Sequence, residues 1–246
     1  MNKSTLRTIN VLELISENKH GITLTEISKE LNIPKASTSD ILKSLLSTRM
    51  VEKTENNAYR IGIKNLLLGN AYLANIDVVA VSMSYVDNLA EETGNTVFLG
   101  KLIDNRVTYL YKREPRDSLI STCRIGSRAN LSTTALGKIA MAYNPHLLDD
   151  ILAKPLPQKT QHTITLPEKL KQELAKIRSG GYSIDNREHD DRIMVVGFPI
   201  FDESGKVEHA IGISGAYQET RDIVKEVWLG KEAARKISQH LGYSCG

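Results

Sequence analysis

Apolar residues recur along the first third of the chain at helical spacing, broken at a few turn-forming points. Leu6, Ile9, Leu12 and Ile15 stand three apart and predict a first helix from Ser4 to about residue 18, ended by His20-Gly21. The stretch Leu24–Met50 then divides into two short amphipathic helices. Ile27 and Leu31 share one face of the first, and Thr23 lies three residues before Glu26, as a capping box requires. Pro34 cannot continue that helix but suits the opening of the next, whose stripe is Leu42, Leu45 and Leu46. Lys35, Ser37, Thr38, Ser39 and Lys43 are expected on the opposite side. This is the layout of a helix-turn-helix whose second helix presents short polar and basic side chains to DNA. Residues 50–53 and 59–61 flank the polar turn Thr54-Glu55-Asn56-Asn57-Ala58 and read as a hairpin, the wing that follows such a motif. Ile63 to Ala74 forms a further helix, too rich in leucine for a bare linker and expected to pack on a partner subunit or the next domain.

From Val78 the pattern changes. Val79 to Thr93 predicts a helix with Val79, Met83, Val86, Leu89 and Ala90 inward, stopped at Gly94. Strand-like runs follow at 96–102 and 106–112 around the turn Ile103-Asp104-Asn105, with a third expected at 118–122. Helices are predicted at 131–142, 145–153 and 167–178, and a short strand at 182–185. Runs at 194–201 and 207–214 around Asp202-Glu203-Ser204-Gly205 make a hairpin, and a last helix covers 221–241. Helices before, between and after antiparallel strands predict an α+β domain.

Composition narrows the class. At 246 residues with 41% hydrophobic and 25% charged residues, the chain has room for two globular domains. No apolar run approaches the roughly 20 residues that span a bilayer, and the N-terminus lacks the basic-then-apolar layout expected of a signal peptide. Cys123 and Cys245 lack metal spacing and give no disulfide framework, so a reducing cytoplasm is the expected setting. The net charge of +3 is unevenly placed: residues 1–75 hold ten Lys+Arg against seven Asp+Glu, and the remainder holds twenty-two of each. The excess positive charge therefore coincides with the helix-turn-helix, as a phosphate-facing surface needs. Lys3 and Arg7, near the start of the first helix, are placed to reach phosphate or a minor groove or to remain solvated.

The second half offers no catalytic constellation. Gly212-Ile213-Ser214-Gly215 has only superficial likeness to a nucleophile elbow and lies within a hairpin strand. Asp185, His189, Asp190 and Asp191 have no spacing that a known metal site demands, and a solvated acidic loop is expected. No metal, cofactor or catalytic residue is assigned. Ser132-Thr133-Thr134-Ala135-Leu136-Gly137 places hydroxyls and small side chains at a helix start, where backbone N–H groups suit a carboxylate or where ordinary capping suffices.

The chain resembles the IclR family of bacterial transcription regulators over nearly all of 5–243. The resemblance rests on L-T-E-I-S-K-E-L-N-I-P-K, A-E-E-T-G-N-T-V from Ala90, G-S-R-A-N-L-S-T-T-A-L-G-K from Gly126, G-Y-S-I-D from Gly181, and F-P-I-F-D-E-S-G-K-V through the I-S-G that ends at Gly215. It implies a winged helix-turn-helix over 1–62, a linker helix over 63–77 and a GAF-like effector-binding domain with an antiparallel sheet over 78–246. It also implies a dimer or tetramer that binds a double-stranded operator and a small organic, aromatic or sugar acid. By the same resemblance the effector positions fall on Ala135, Leu136, Asp185 and Ser214, with Val195 and Gly212 standing where glyoxylate-binding members carry cysteine and serine. Those two replacements remove polar partners, and Gly212 is expected to open space, so a larger or more apolar acid fits better. Ser39 and Asp40 stand where tyrosine and arginine are common, so the operator is not transferable from relatives. The resulting expectation is an effector-responsive repressor or activator. An enzyme with an appended DNA-binding domain and a purely architectural DNA binder are the alternatives.

Overall fold

In the computed structural model, which describes residues 3–74, 77–115 and 123–244, the chain divides into two units, 1–75 and 76–246. The first contains α1 (Lys3–Glu17), β1 (Ile22–Thr23), α2 (Leu24–Glu30), α3 (Lys35–Ser47), β2 (Val51–Lys53), β3 (Ala58–Ile61) and α4 (Lys64–Ala74). The capping box forms at α2: Thr23 N–H donates to Glu26 Oε2 at 2.8 Å, and Glu26 N–H donates to Thr23 Oγ1 at 3.4 Å. Asn32 takes φ 49° in the turn between α2 and α3, a left-handed position that asparagine tolerates better than most residues. The wing is three-stranded, order β1-β3-β2, because Ile22–Thr23 adds an unanticipated edge strand. Val11, Ile15, Ile27, Leu42, Leu45 and Val51 form the core of this first unit.

The stripe expected on α1 needs correction. Leu6 and Ile9 are 37% and 46% exposed, whereas Val11 and Ile15 are buried. A three-residue repeat lags a 3.6-residue helix by about 60° per step, so Leu6 and Ile15 point to roughly opposite sides.

The second unit contains α5 (Asp77–Thr93), β4 (Thr96–Ile103), β5 (Arg106–Arg113), β6 (Arg128–Ala129), α6 (Ala135–Tyr143) and α7 (His146–Leu152). It continues with α8 (Pro167–Gly180), β7 (Ser183–Asn186), β8 (Ile193–Phe201), β9 (Val207–Ala216) and α9 (Ile223–His240). All pairings in its six-stranded sheet, order β6-β5-β4-β9-β8-β7, are antiparallel. The strand expected at 118–122 lies outside the described residues, and β6 was not foreseen. On α5 the buried position falls on Ser82, leaving Met83 41% exposed. Among the described residues no helix is long and apolar enough to cross a membrane.

Side chains alternate across the sheet, and two glycines let helices lie close to it. A Cβ on Gly197 would come within 3.2 Å of Ala135 Cβ, so the start of α6 rests almost on the strand. On the other side of β8, the Phe198 ring lies under Gly230 of α9, where a Cβ would meet it at 2.1 Å. Replacing a helix-interior glycine with alanine ordinarily stabilises by up to about 1 kcal/mol. Here overpacking at about 1–3 kcal/mol outweighs that gain. Gly230→Ala is expected to lower stability in urea unfolding, and a stabilised variant would mean that Phe198 does not occupy this space.

Candidate functional site

The helix start expected to hold an anion is built by its own cap. Thr134 is extended (φ −120°, ψ 151°) and accepts from Gly137 N–H at 3.2 Å, while its hydroxyl donates to Asn130 O at 2.7 Å. Ser183 Oγ donates to Ala135 O at 2.8 Å and ties this turn to β7. The N–H groups of Ala135 and Leu136, both residues buried, meet no acceptor among the described residues.

Strand register brings the other expected residues to the same place. Asp185 pairs with Val195 and Val195 with Ser214, so the three form one row across β7, β8 and β9. With Ala135 and Leu136 they line a narrow cavity whose empty space, adjoining solvent included, is about 400 Å³. The rest of its wall comes from Thr134 of the same helix start, from His189 and Asp190 of the loop expected to be solvated, and from Phe98, Tyr109, Cys123 and Ile193, which the sequence did not mark as pocket residues. Phe98 and Tyr109 meet edge-on, with centroids 5.0 Å apart. Thr133 Oγ1 lies 3.0 Å from His189 Nδ1 and holds that ring at the rim.

Gly212 does not play the part expected of it. The space above it is filled, since a Cβ there would lie 2.6 Å from Phe98 Cε2 and 2.7 Å from Leu136 Cδ1. Gly212 therefore admits the Phe98 ring and Leu136 into the packing; it neither lines the cavity nor enlarges it.

The cavity's titratable groups are held largely neutral. Asp185 is 3% exposed, and its Oδ1 accepts from the Glu188 N–H at 2.7 Å and the His189 N–H at 3.3 Å. Burial is the largest influence on its pKa and pushes the carboxyl up to about 7, against the pull of Lys138 and the Glu188 N–H. Burial also raises the Tyr109 phenol and lowers His189, the latter helped by Lys159. Asp190 is instead drawn down to about 2 by its hydrogen bonds with Arg192. Among the described residues no three His, Cys, Asp or Glu side chains converge as a metal site requires.

On the first unit, Lys35, Lys43 and Arg7 are exposed, and Ser37 and Ser39 are half-buried. Lys43 lies 3.5 Å from Asp40, both side chains about three-quarters exposed, so this pair holds the ammonium only weakly. Thr38 is a correction. It is fully buried, with its hydroxyl on Pro34 O at 3.2 Å. Positions 38, 42 and 45 are four and three apart, which puts Thr38 on the inward stripe with Leu42 and Leu45. It cannot face DNA.

Asp185 makes stability depend on pH with a definite sign. Its folded pKa lies above the ordinary carboxylate value, so its contribution is full below about pH 4 and is lost as pH rises through about 7. Asp185→Asn, which keeps an acceptor for both N–H groups, removes that loss. The variant's unfolding free energy, from urea titrations at each pH, is expected to gain on wild type from pH 5 to pH 7, by at most about 1.4 kcal/mol per pH unit, then level off. A constant difference from pH 5 to 7 would mean that the carboxyl is ionised throughout.

The profile of the bacterial transcriptional regulator IclR C-terminal domain matches residues 70–239, and that of the IclR helix-turn-helix domain matches 4–55. The HTH-type transcriptional regulator KdgR of Escherichia coli is 28% identical over 98% of this chain and 93% of its own. The crystal structure of the Thermotoga maritima IclR is 30% identical, covers 98% of this chain and 100% of its own, and superposes with a TM-score of 0.76. An IclR homologue from Microbacterium hydrocarbonoxydans, solved in complex with 4-hydroxybenzoate, shares the fold at TM-score 0.85 and 21% identity, over 98% of this chain and 100% of its own.

Proposed function

The chain belongs to the IclR family of bacterial transcriptional regulators, and from that premise we propose that its operator affinity is set by a small organic acid bound at the start of α6. It is a regulator and not an enzyme. The observation that carries the reading is the convergence of two unpaired helix N–H groups, at Ala135 and Leu136, with Asp185 and Ser214 in one buried cavity. A carboxylate suits those N–H groups through both their hydrogen bonds and the helix dipole. Protonated Asp185 and Ser214 offer hydrogen bonds to a hydroxyl on the ligand. Phe98, Tyr109, Ile193 and Val195 suit an apolar or planar body. The 4-hydroxybenzoate complexed to the Microbacterium homologue is an acid of this kind and makes a natural first probe.

On the DNA side, in the cytoplasm, Lys35, Ser37, Ser39 and Lys43 of α3 face the major groove, and Arg7 reaches the backbone or minor groove. One experiment tests both halves: titration of protein onto operator DNA at several salt concentrations, with and without 4-hydroxybenzoate, for wild type, Lys43→Ala and Ser214→Ala. Lys43→Ala is expected to weaken binding to all sequences and to flatten the salt slope by about one unit. Ser214→Ala is expected to leave ligand-free DNA binding intact and to weaken the response to the acid about two- to tenfold, as loss of a neutral hydrogen bond of about 0.5–1.5 kcal/mol would. An unchanged slope removes Lys43 from the interface, and an unchanged response moves the ligand elsewhere.

The protein acts as a dimer or tetramer. Ile63, Leu66, Leu67 and Leu68 on and beside α4 are each more than half exposed, and a second copy is the proposed cover for so much apolar surface. Half-sites on the operator then lie on the order of 34 Å apart, or a multiple of that. Sedimentation of wild type is expected to show an oligomer that Leu67→Glu weakens; a monomeric wild type on and off DNA would defeat this.

A further inference from the structure

Strand β7 begins only at Ser183, opposite Gly197, and that leaves part of the β8 edge unpaired. It pairs with β8 only from Met194 to Gly197, so β8 runs on past it from Phe198 to Phe201. Pro199, with no N–H to offer, is tolerated at such an edge. The N–H of Phe201 is met by Ser238 Oγ of α9 at 3.0 Å. Between this edge, the end of α8 and the inner side of α9 lies a second cavity of about 760 Å³ of empty space.

One wall is aromatic. Phe201 stacks on Tyr243 at 4.8 Å with the planes 18° apart, and Tyr143 meets Phe201 edge-on at 5.3 Å. The rim is cationic, with Arg178, Lys231 and Arg235, and no Asp or Glu lines the cavity. Arg235 is neutralised by Glu232 through contacts of 2.9 and 2.7 Å. The other two cations have no carboxylate partner among the described residues. Arg178 uses Nε to reach Ala142 O at 2.8 Å, and Lys231 Nζ lies 5.2 Å from the centre of the Tyr182 ring. Arg178 also draws down a Tyr143 phenol that burial pushes up, so the guanidinium sits beside that aromatic wall. Isolated surface cations are ordinarily just solvated. Here two of them, lacking counter-charge, border a concave surface lined with stacked rings.

We propose that this cavity is a second ligand site, separate from the one at α6, for a small planar anion whose ring lies against Phe201 and Tyr243 and whose phosphate or carboxylate is held by Arg178 and Lys231. The guanidinium offers a flat fork to such a group, and the ammonium adds a point charge. An aromatic platform with adjacent cations suits a ring that carries its charge at one end.

The test uses the full chain and three probes, phenyl phosphate, benzoate and inorganic phosphate, titrated calorimetrically into wild type, Arg178→Gln and Lys231→Gln. Melting curves verify that both variants fold. Phenyl phosphate or benzoate is expected to bind wild type more tightly than inorganic phosphate does. Each substitution is expected to weaken the tighter of the two by about tenfold or more. Which of the two is tighter identifies the anionic group. Crystals soaked in that probe should show its ring against Phe201. Equal binding of inorganic phosphate and the ring-bearing probes would overturn the planar ligand. Binding unchanged in both variants, a ring located at Asp185 and Ser214, or no binding of any probe would overturn the site.

Discussion

A fully buried ammonium holds the cavity at the start of α6 in shape. Lys138 of α6 has no exposed side-chain surface and donates to Ile184 O at 2.6 Å and to the Glu188 carboxylate, with Glu173 Oε1 at 3.8 Å. A charge removed from water is tolerated only with partners on several sides. Those partners come from β7, the turn that follows it and α8, so the one side chain draws three elements toward α6. Asp185 is fixed as a consequence, because its Oδ1 takes the N–H of Glu188, the same residue that neutralises Lys138. Loss of one partner from such a pair costs about 3–5 kcal/mol, since the other charge stays buried. Glu188 Oε2 already has no hydrogen-bond partner among the described residues, so little in these surroundings compensates.

The same burial decides which ligand the cavity tolerates. An ionised Asp185 beside a bound carboxylate would repel it by about 4 kcal/mol at 4 Å with an effective dielectric of 20. That would cancel one or two charge-assisted hydrogen bonds. Burial raises Asp185 to about 7, so near neutrality a large share of the carboxyl is protonated and able to donate. The Tyr109 phenol and the His189 imidazole are shifted by burial toward their uncharged forms as well. A single negative charge entering the cavity thus meets the Ala135 and Leu136 N–H groups, with Lys138 behind Asp185, and the one ionised carboxylate in the described wall, Asp190, is paired with Arg192.

Local patterning made the first unit legible. The Thr23–Glu26 capping box, the Pro34 start and the hairpin at 51–61 are short-range features, each stated by a few adjacent residues. Thr38 was misplaced because its chemistry was read ahead of its position: it is four residues before Leu42 and shares its face. In the second unit the helices and hairpins were readable, and the resemblance supplied Asp185 and Ser214. The opposite wall was not readable. Phe98, Tyr109, Cys123 and Ile193 reach the cavity through pairings such as β4 with β9, more than a hundred residues apart in sequence. Gly212 was misjudged for a related reason. An absent side chain suggests a void until the residues facing it are known, and Phe98 and Leu136 fill this one. Lys138 lay within a quoted motif yet gave no sign of burial, because an isolated lysine on a helix is ordinarily solvated.

The proposed control of DNA binding does not require much free energy at the cavity. A typical coupling between two sites is about 1–3 kcal/mol, or 5–150-fold in affinity. One hydrogen bond to a charged group is worth about 1.5–3 kcal/mol. A single contact to the acid that is present in one conformation and absent in the other therefore supplies the whole effect. The donors at Ala135 and Leu136 are poor candidates for that changing contact, because α6 is pressed onto Gly197 and tied down through Lys138. Asp185 and Ser214 lie on strands of the same packed sheet. His189 is different. It sits exposed at the rim after β7, its ring held by one side-chain bond to Thr133, so its position can change without opening the core. A ligand whose body reaches the rim can thus discriminate between conformations, whereas one that contacts only the helix start binds both alike and shifts neither.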